Sequence, residues 1–332
     1  MSILVTGGAG YIGSHVVRLL RAQGREVVVL DTLEFGHRGA VGDVPLIVSD
    51  IDDRAAVRDA VRRHGVDAAM HFAGYKAAGE SMQDPGRYFG NNVSKSAALL
   101  ETLHGAGVSR VVFSSSCSVY GTPAEVPVNE SAPIHPESPY GESKAMVERM
   151  LDWYDRCWGT RSVSLRYFNA AGAWPDGTIG EEWSATLNLV PLVLKAALGR
   201  VAEVQVFGTD YPTPDGTAVR DYVHVVDLAE AHLKALEHLE SGGATAAVNV
   251  GTGVGSSVYE VLAAAERVVG HPIPYRLSGR RAGDPVALFS DISGARALLG
   301  WEARLGLDEI VASAWAWHSG HPDGYGAQSL PV

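Results

Sequence analysis

A chain of 332 residues, 46% hydrophobic and 20% charged, is long enough for one large or two modest domains and too apolar for a disordered segment. Its 38 acidic against 27 basic residues leave a formal charge of -11 and no basic patch to track a phosphate backbone, which argues against a nucleic-acid partner. The two cysteines, Cys117 and Cys157, lack metal-like spacing, and no apolar run approaches the roughly 18 residues of a membrane span, so a cytoplasmic protein with no metal and no membrane partner is expected.

From the N-terminus, which enters a strand without a basic leader, short β-branched runs alternate with helical patterns. The runs are "SILVTG", "REVVVLD", "VPLIVSD", "DAAMHFAG", "RVVFSSS" and "SVSLRYF". Between them lie "GSHVVRLLRAQG", "DRAAVRDAVRRHG", "NNVSKSAALLETLHGAG" and a helix opened by "SPYGESKAMVE". This alternation predicts an α/β fold, a doubly wound Rossmann-type parallel sheet over residues 1–172. Residues 173–218 are rich in Gly, Pro, Asp and Trp and read as a separate loop-rich unit. "DYVHVVDLAEAHLKALEHL" and "AAVNVG" predict a return to the main sheet over 219–252. Residues 253–332 add a helix and a Pro/Arg-rich close, completing with 173–218 a smaller mixed α/β substrate domain.

"ILVTGGAGYIGSH" is a strand, a glycine-rich turn and a helix start. Gly7, Gly10 and Gly13 permit the tight turn and let backbone N–H groups approach a pyrophosphate, while Tyr11 and Ile12 open the helix whose N-terminus favours that charge. Asp31 ends the second strand, where an acid accepts from adenosine ribose hydroxyls and repels a 2'-phosphate, selecting NAD over NADP. Asp50, beside Ile51 at the end of the next strand, is placed to reach the adenine edge. In "SPYGESK", Ser138 is a good N-cap and Pro139 a good first helical residue, so Tyr140 and Lys144 stand one turn apart on one face. A phenol with an ordinary pKa of about 10 needs neighbouring positive charge to act as a base near neutral pH. Lys144, the helix dipole and an oxidised nicotinamide are expected to lower it. Ser116, in the loop leaving the strand of "RVVFSSS", is placed to relay a proton or bind the reacting oxygen.

Taken together, the glycine turn, the Ser of "SSSCSVYG" and Tyr-x-x-x-Lys resemble the extended short-chain dehydrogenase/reductase superfamily. "HFAGYKAAGES", "NNV", "LRYFNAAGA", "NLVP", "FGTDYPTPDGTAVRDYVHVVDLAEAH", "NVGTG" and "RRAGD" stand in the order found in UDP-glucose 4-epimerases, and the resemblance runs from Ser2 to beyond Trp301. It implies permanently bound NAD, hydride removal from sugar C4, a 4-keto sugar that swings about its diphosphate, and hydride return to the opposite face. It assigns catalysis to Ser116, Tyr140 and Lys144. Phe72, Ala73, Gly74, Lys76, Asn91, Ser114, Ser115 and Tyr167 would line the NAD, with Tyr140 and Lys144. Lys76, Asn92, Ser116, Tyr140, Asn169, Asn188, Leu189, Val206, Arg220, Arg281 and Asp284 would hold the nucleotide sugar. Members of the family carry either a bulky Tyr or a small residue at the position of Leu288, where a small residue admits N-acetylated sugars; a UDP-N-acetylglucosamine or UDP-glucuronate 4-epimerase is the alternative. A nucleotide-sugar 4,6-dehydratase is disfavoured because Ser116, Cys117 and Ser118 replace the Thr-Asp-Glu whose carboxyls that elimination needs. A non-catalytic NAD-binding protein is disfavoured by the presence of Ser116, Tyr140 and Lys144 together. The family usually forms homodimers through helices such as the one carrying Tyr140.

Overall fold

The computed structural model describes residues 1–183, 186, 188–281 and 285–326. Continuous apolar runs form its central strands, because a parallel strand covered on both faces has no side to leave polar. These are β1 (Ser2–Thr6), β2 (Glu26–Asp31), β3 (Leu46–Val48), β4 (Val66–His71), β5 (Arg110–Ser114) and β6 (Arg161–Tyr167). Further on come β7 (Asn169–Ala171), β8 (Val204–Phe207), β9 (Val219–His224), β10 (Ala246–Val250), β11 (Gly255–Ser257), β12 (Tyr275–Ser278) and β13 (Ala287–Leu288). A seven-stranded parallel sheet runs in the order β10-β6-β5-β4-β1-β2-β3, reversing direction of growth between β1 and β4. It is the doubly wound Rossmann-type sheet expected from the alternating pattern.

Local chemistry sets the helix ends. Asp53 accepts the N–H groups of Ala55 and Ala56 to start helix Arg54–His64, and Gly65, with φ 59°, ends it. Ser138 accepts the Gly141 N–H at 3.1 Å, Pro139 takes the first helical position, and helix Pro139–Trp158 stops at Gly159, with φ 69°. The buried side of helix Tyr11–Ala22, with Val16, Val17 and Leu20, packs on helix Val225–Glu240 and closes one core over the sheet. Among the described residues, no helix is long and apolar enough to cross a membrane.

One strand falls outside the expected sheet. Within "DYVHVVDLAEAHLKALEHL" the helix and the following β10 rejoin the main core, but β9 pairs with β7, β11 and β13 in a second sheet. The chain leaves β6 at Phe168, and β7 then offers β9 a parallel edge beyond the main sheet. A second core unites helices Leu189–Ala197, Val258–Val269 and Leu307–Gly320, with Val190, Leu194, Val261 and Ile310 among its buried residues.

A buried polar network ties together one half of the main sheet. Glu148 accepts from Arg166 Nη2 at 2.6 Å and from its Nε at 3.0 and 3.1 Å. Arg166 Nη1 donates to Tyr120 Oη at 2.9 Å, and Tyr120 donates to Asn249 Oδ1 at 2.7 Å. The network thus ties helix Pro139–Trp158 to β6 and β10. Glu148→Ala, which leaves the Arg166 charge buried without its partner, should cost about 3 kcal/mol or more in urea unfolding followed by circular dichroism.

Candidate active site

The carboxyl ends of β1 to β6 open into one cavity of about 430 Å³. Parallel strands place all these loops at the same edge, and a doubly wound sheet binds ligands there. Gly7, Gly10, Tyr11, Ile12 and Gly13 form its floor. A Cβ on Gly7 would come within 2.6 Å of the Ala73 nitrogen, and one on Gly13 would overlap the Gly7 carbonyl oxygen. Only glycine lets the turn, the β4 loop and the helix start approach so closely. Gly10 supplies no side-chain cap to helix Tyr11–Ala22, and no acid occupies its first turn, so the positive end of that helix is left to a ligand's charge.

Asp31 is buried at the cavity wall, where its carboxylate accepts the N–H groups of Ala9 and Leu33, both at 2.9 Å. Burial raises its pKa while those two bonds oppose the rise. Asp50 and Ile51 line the same cavity, with Asp50 ion-paired to Lys95. Phe72, Ala73, Gly74, Lys76, Asn91, Ser114, Tyr140, Lys144 and Tyr167 complete the set expected there. Two expected residues do not face it. Ser115 is fully buried with its hydroxyl on Glu148. Asn92 accepts the Tyr75 N–H at 2.8 Å and donates to Tyr75 O and Ser143 Oγ, both at 3.0 Å, so its side chain braces the Gly74–Tyr75 loop rather than reaching for a sugar.

Tyr140, Ser116 and Lys144 meet where β5 ends against helix Pro139–Trp158. Burial pushes the Tyr140 phenol well above its ordinary pKa, and the nearby Ser116 hydroxyl only partly opposes that rise. Lys144 is buried too, and burial brings its ammonium down to about 8. Its Nζ donates to Ser114 O at 2.8 Å and lies 5.9 Å from the centre of the Tyr140 ring. In the protein alone burial governs the phenol, and Lys144 does not offset it; the expected lowering also invoked the helix dipole and an oxidised nicotinamide. The hydroxyls of Ser114 and Tyr167 are hydrogen-bonded at 2.8 Å beside them.

A second, smaller pocket of about 160 Å³ gathers Asn169, Asn188, Leu189, Arg220 and Arg281, five residues from four separate segments of the chain and all expected to hold one ligand. Arg281 lies over the Phe207 ring at 5.5 Å, and Arg220 donates to Val219 O at 2.8 Å. Two guanidinium groups among amides suit a diphosphate and a polar base. Val206 is corrected: its side chain is buried in the second core. Asp284 lies outside the described residues. Leu288 is buried in one cluster with Cys117 and Phe168, next in sequence to Ser116 and Asn169.

Several cavity residues were not legible in the sequence. Gly180, Glu181, Glu182, His37 and Tyr325 all line the larger cavity. Tyr325 stacks on His37 at 4.8 Å, and its hydroxyl meets both the N–H and the C=O of Gly180 at 3.1 Å. The turn-forming "PDGY" marks where the chain bends back, but nothing in the sequence says onto what. The glycine cradle, the uncapped helix start and the pinned Asp31 fit a dinucleotide: Gly7 to Gly13 would hold its pyrophosphate and Asp31 its ribose.

The NAD dependent epimerase/dehydratase family model matches residues 3–251. The UDP-glucose 4-epimerase of Halalkalibacterium halodurans is 46% identical over 330 residues, covering 99% of each chain. The solved UDP-glucose 4-epimerase of Stenotrophomonas maltophila, with bound NAD and formylated UDP-arabinopyranose, superposes with a TM-score of 0.94 at 41% identity, covering 97% of this chain and 99% of that one. That of Bifidobacterium longum, in complex with NAD+ and UDP, gives 0.92 at 40% identity over 98% and 100%. Gly13→Ala should leave a folded protein whose NAD content after purification falls below about one tenth of the parent's, read by acid release and enzymatic assay.

Proposed function

The chain belongs to the NAD dependent epimerase/dehydratase family and is similar to UDP-glucose 4-epimerases along nearly its whole length, and from that premise we propose that it interconverts UDP-galactose and UDP-glucose by transient oxidation at sugar C4. The observation that carries this reading is the pair of neighbouring pockets, one with Tyr140 and Lys144 at a dinucleotide cradle and one lined by Arg220 and Arg281. A diphosphate gripped in the second pocket leaves the attached sugar free to turn, as an epimerisation through a 4-keto sugar requires.

Bound NAD supplies the hydride acceptor and donor for C4 and, when oxidised, a positive charge beside the phenol. The rest is work for side chains. Tyr140 Oη, once ionised beside that charge, takes the C4 hydroxyl proton and later returns it, with the Ser116 hydroxyl favouring the phenolate. Lys144, fixed on Ser114 O, adds its charge when protonated and is placed to hold the nicotinamide ribose. Asp31 would hold the adenosine ribose, and Asn169, Asn188 and the two arginines the nucleotide sugar. On this division, residues 1–172 with 219–252 serve the cofactor and 173–218 with 253–332 the substrate, apart from Gly180 to Glu182 and Tyr325, which line the cofactor cavity. No metal enters this chemistry. The compartment we assign is the cytoplasm, on the scarcity of cysteine, and we expect no nucleic-acid or membrane partner.

We also expect a homodimer. Helix Pro139–Trp158 carries Trp153, 60% exposed, and Trp158, 43% exposed and stacked on His104. Such aromatic surface is characteristic of an interface. Sedimentation equilibrium should give twice the chain mass, and Trp153→Glu should shift it toward the monomer.

The purified protein should convert UDP-galactose to UDP-glucose in a coupled assay, and absence of conversion by folded, NAD-loaded protein would sink the reading. UDP-N-acetylglucosamine and UDP-glucuronate run in parallel, with turnover of one of these alone, decide for the alternative substrate. Tyr140→Phe should lower kcat by at least about a hundredfold while NAD stays bound; unchanged turnover would remove Tyr140 from the role of base.

A further inference from the structure

Glu181 lines the larger cavity at its border with the smaller pocket, and no role has been assigned to it above. Its side chain is 4% exposed, and its Oε1 atom accepts from both Lys76 Nζ at 2.9 Å and Asn188 Nδ2 at 3.2 Å. Lys76 lines the larger cavity and Asn188 the smaller one. A single oxygen therefore joins a cation of the cofactor cavity to an amide of the nucleotide-sugar pocket.

The backbone around it is held firmly. Trp317 Nε1 donates to Glu181 O at 3.0 Å, and Gly180 is hydrogen-bonded to Tyr325 Oη. Glu182 next to it accepts the Tyr325 N–H at 3.2 Å. With its main chain pinned on both sides, the Glu181 carboxylate has little freedom to follow its partners; they must come to it.

An ionised carboxylate only accepts hydrogen bonds, whereas a carboxamide has a donor end and an acceptor end. Facing Glu181 thus decides the orientation of Asn188: the nitrogen turns to the carboxylate and the oxygen away from it. Resting on the proposed reading of the smaller pocket, we propose that Glu181 is a positioning residue for nucleotide-sugar binding. It orients the Asn188 amide so that its oxygen serves the ligand, and it anchors the Lys76 ammonium at the boundary between the pockets.

The test is calorimetric titration of the NAD-loaded protein with UDP, which reads binding without turnover. Glu181→Met keeps the bulk but removes the acceptor, and should weaken UDP binding by about tenfold, the scale of one hydrogen bond to a charged group. Glu181→Gln keeps an acceptor oxygen and should stay within about threefold of the parent. In an Asn188→Ala background, Glu181→Met should add no more than about twofold, since its target is already gone. A merely structural role predicts no rescue by Gln and full additivity. Either result overturns the proposal, as does parental affinity in Glu181→Met. If the Met variant does not fold, Glu181→Asp, whose carboxylate is drawn back by one methylene, takes its place with the same expected weakening and the same overturning results. Failure of the parent itself to bind UDP would instead sink the reading of the pocket.

Discussion

Parallel pairing is the constraint from which the site follows. In a ladder where β1, β2, β4, β5 and β6 all run the same way, every strand ends at the same edge, so the residues just beyond each end are neighbours whatever their distance in sequence. Gly7 follows β1, Asp31 closes β2, Phe72 follows β4, Ser114 closes β5 and Tyr167 closes β6. No loop has to be folded specially to bring them together. The reversal between β1 and β4 opens the crevice that they line.

Burial then decides the electrostatics of that crevice. Tyr140 and Lys144 are both withdrawn from water, and desolvation drives each toward its neutral form, the phenol upward and the ammonium downward. Glu148, one further turn along the same helix, would favour the charged lysine, but it is itself satisfied by Arg166. In the protein alone the pair is thus weighted toward its neutral forms.

The C-terminal end of the chain closes the site from the opposite direction. Helix Leu307–Gly320 is part of the second core, and the turn after it lays Tyr325 between His37 and Trp317. Through Gly180 and Glu182 this turn braces the segment that carries Glu181. Cofactor cavity and substrate pocket are therefore built on a shared support, with the first core beneath one and the second beneath the other.

Much of this was legible in the residues themselves. Local rules act on neighbouring positions, so the alternation of apolar runs with capped helices disclosed a doubly wound parallel sheet, and Gly7, Gly13, Asp31, Tyr140 and Lys144 announced a dinucleotide site by spacing along strands and one helix turn. The gathering of Asn169, Asn188, Arg220 and Arg281 came from the family resemblance and was realised only by the fold. Other features depended on packing that sequence spacing does not encode. Asn92 and Ser115 sit in promising motifs but turn inward to partners 51 and 33 residues away. Strand β9 left the main sheet because β7 offered it an edge, and how deeply Tyr140 and Lys144 are withdrawn from water is a property of the assembled core. Glu181 and Tyr325 gained their places in the same way. Short-range spacing determined the elements and the chemistry they carry; contacts between distant segments, which depend on the whole packed chain, decided which side chains face the ligand and in what state of protonation.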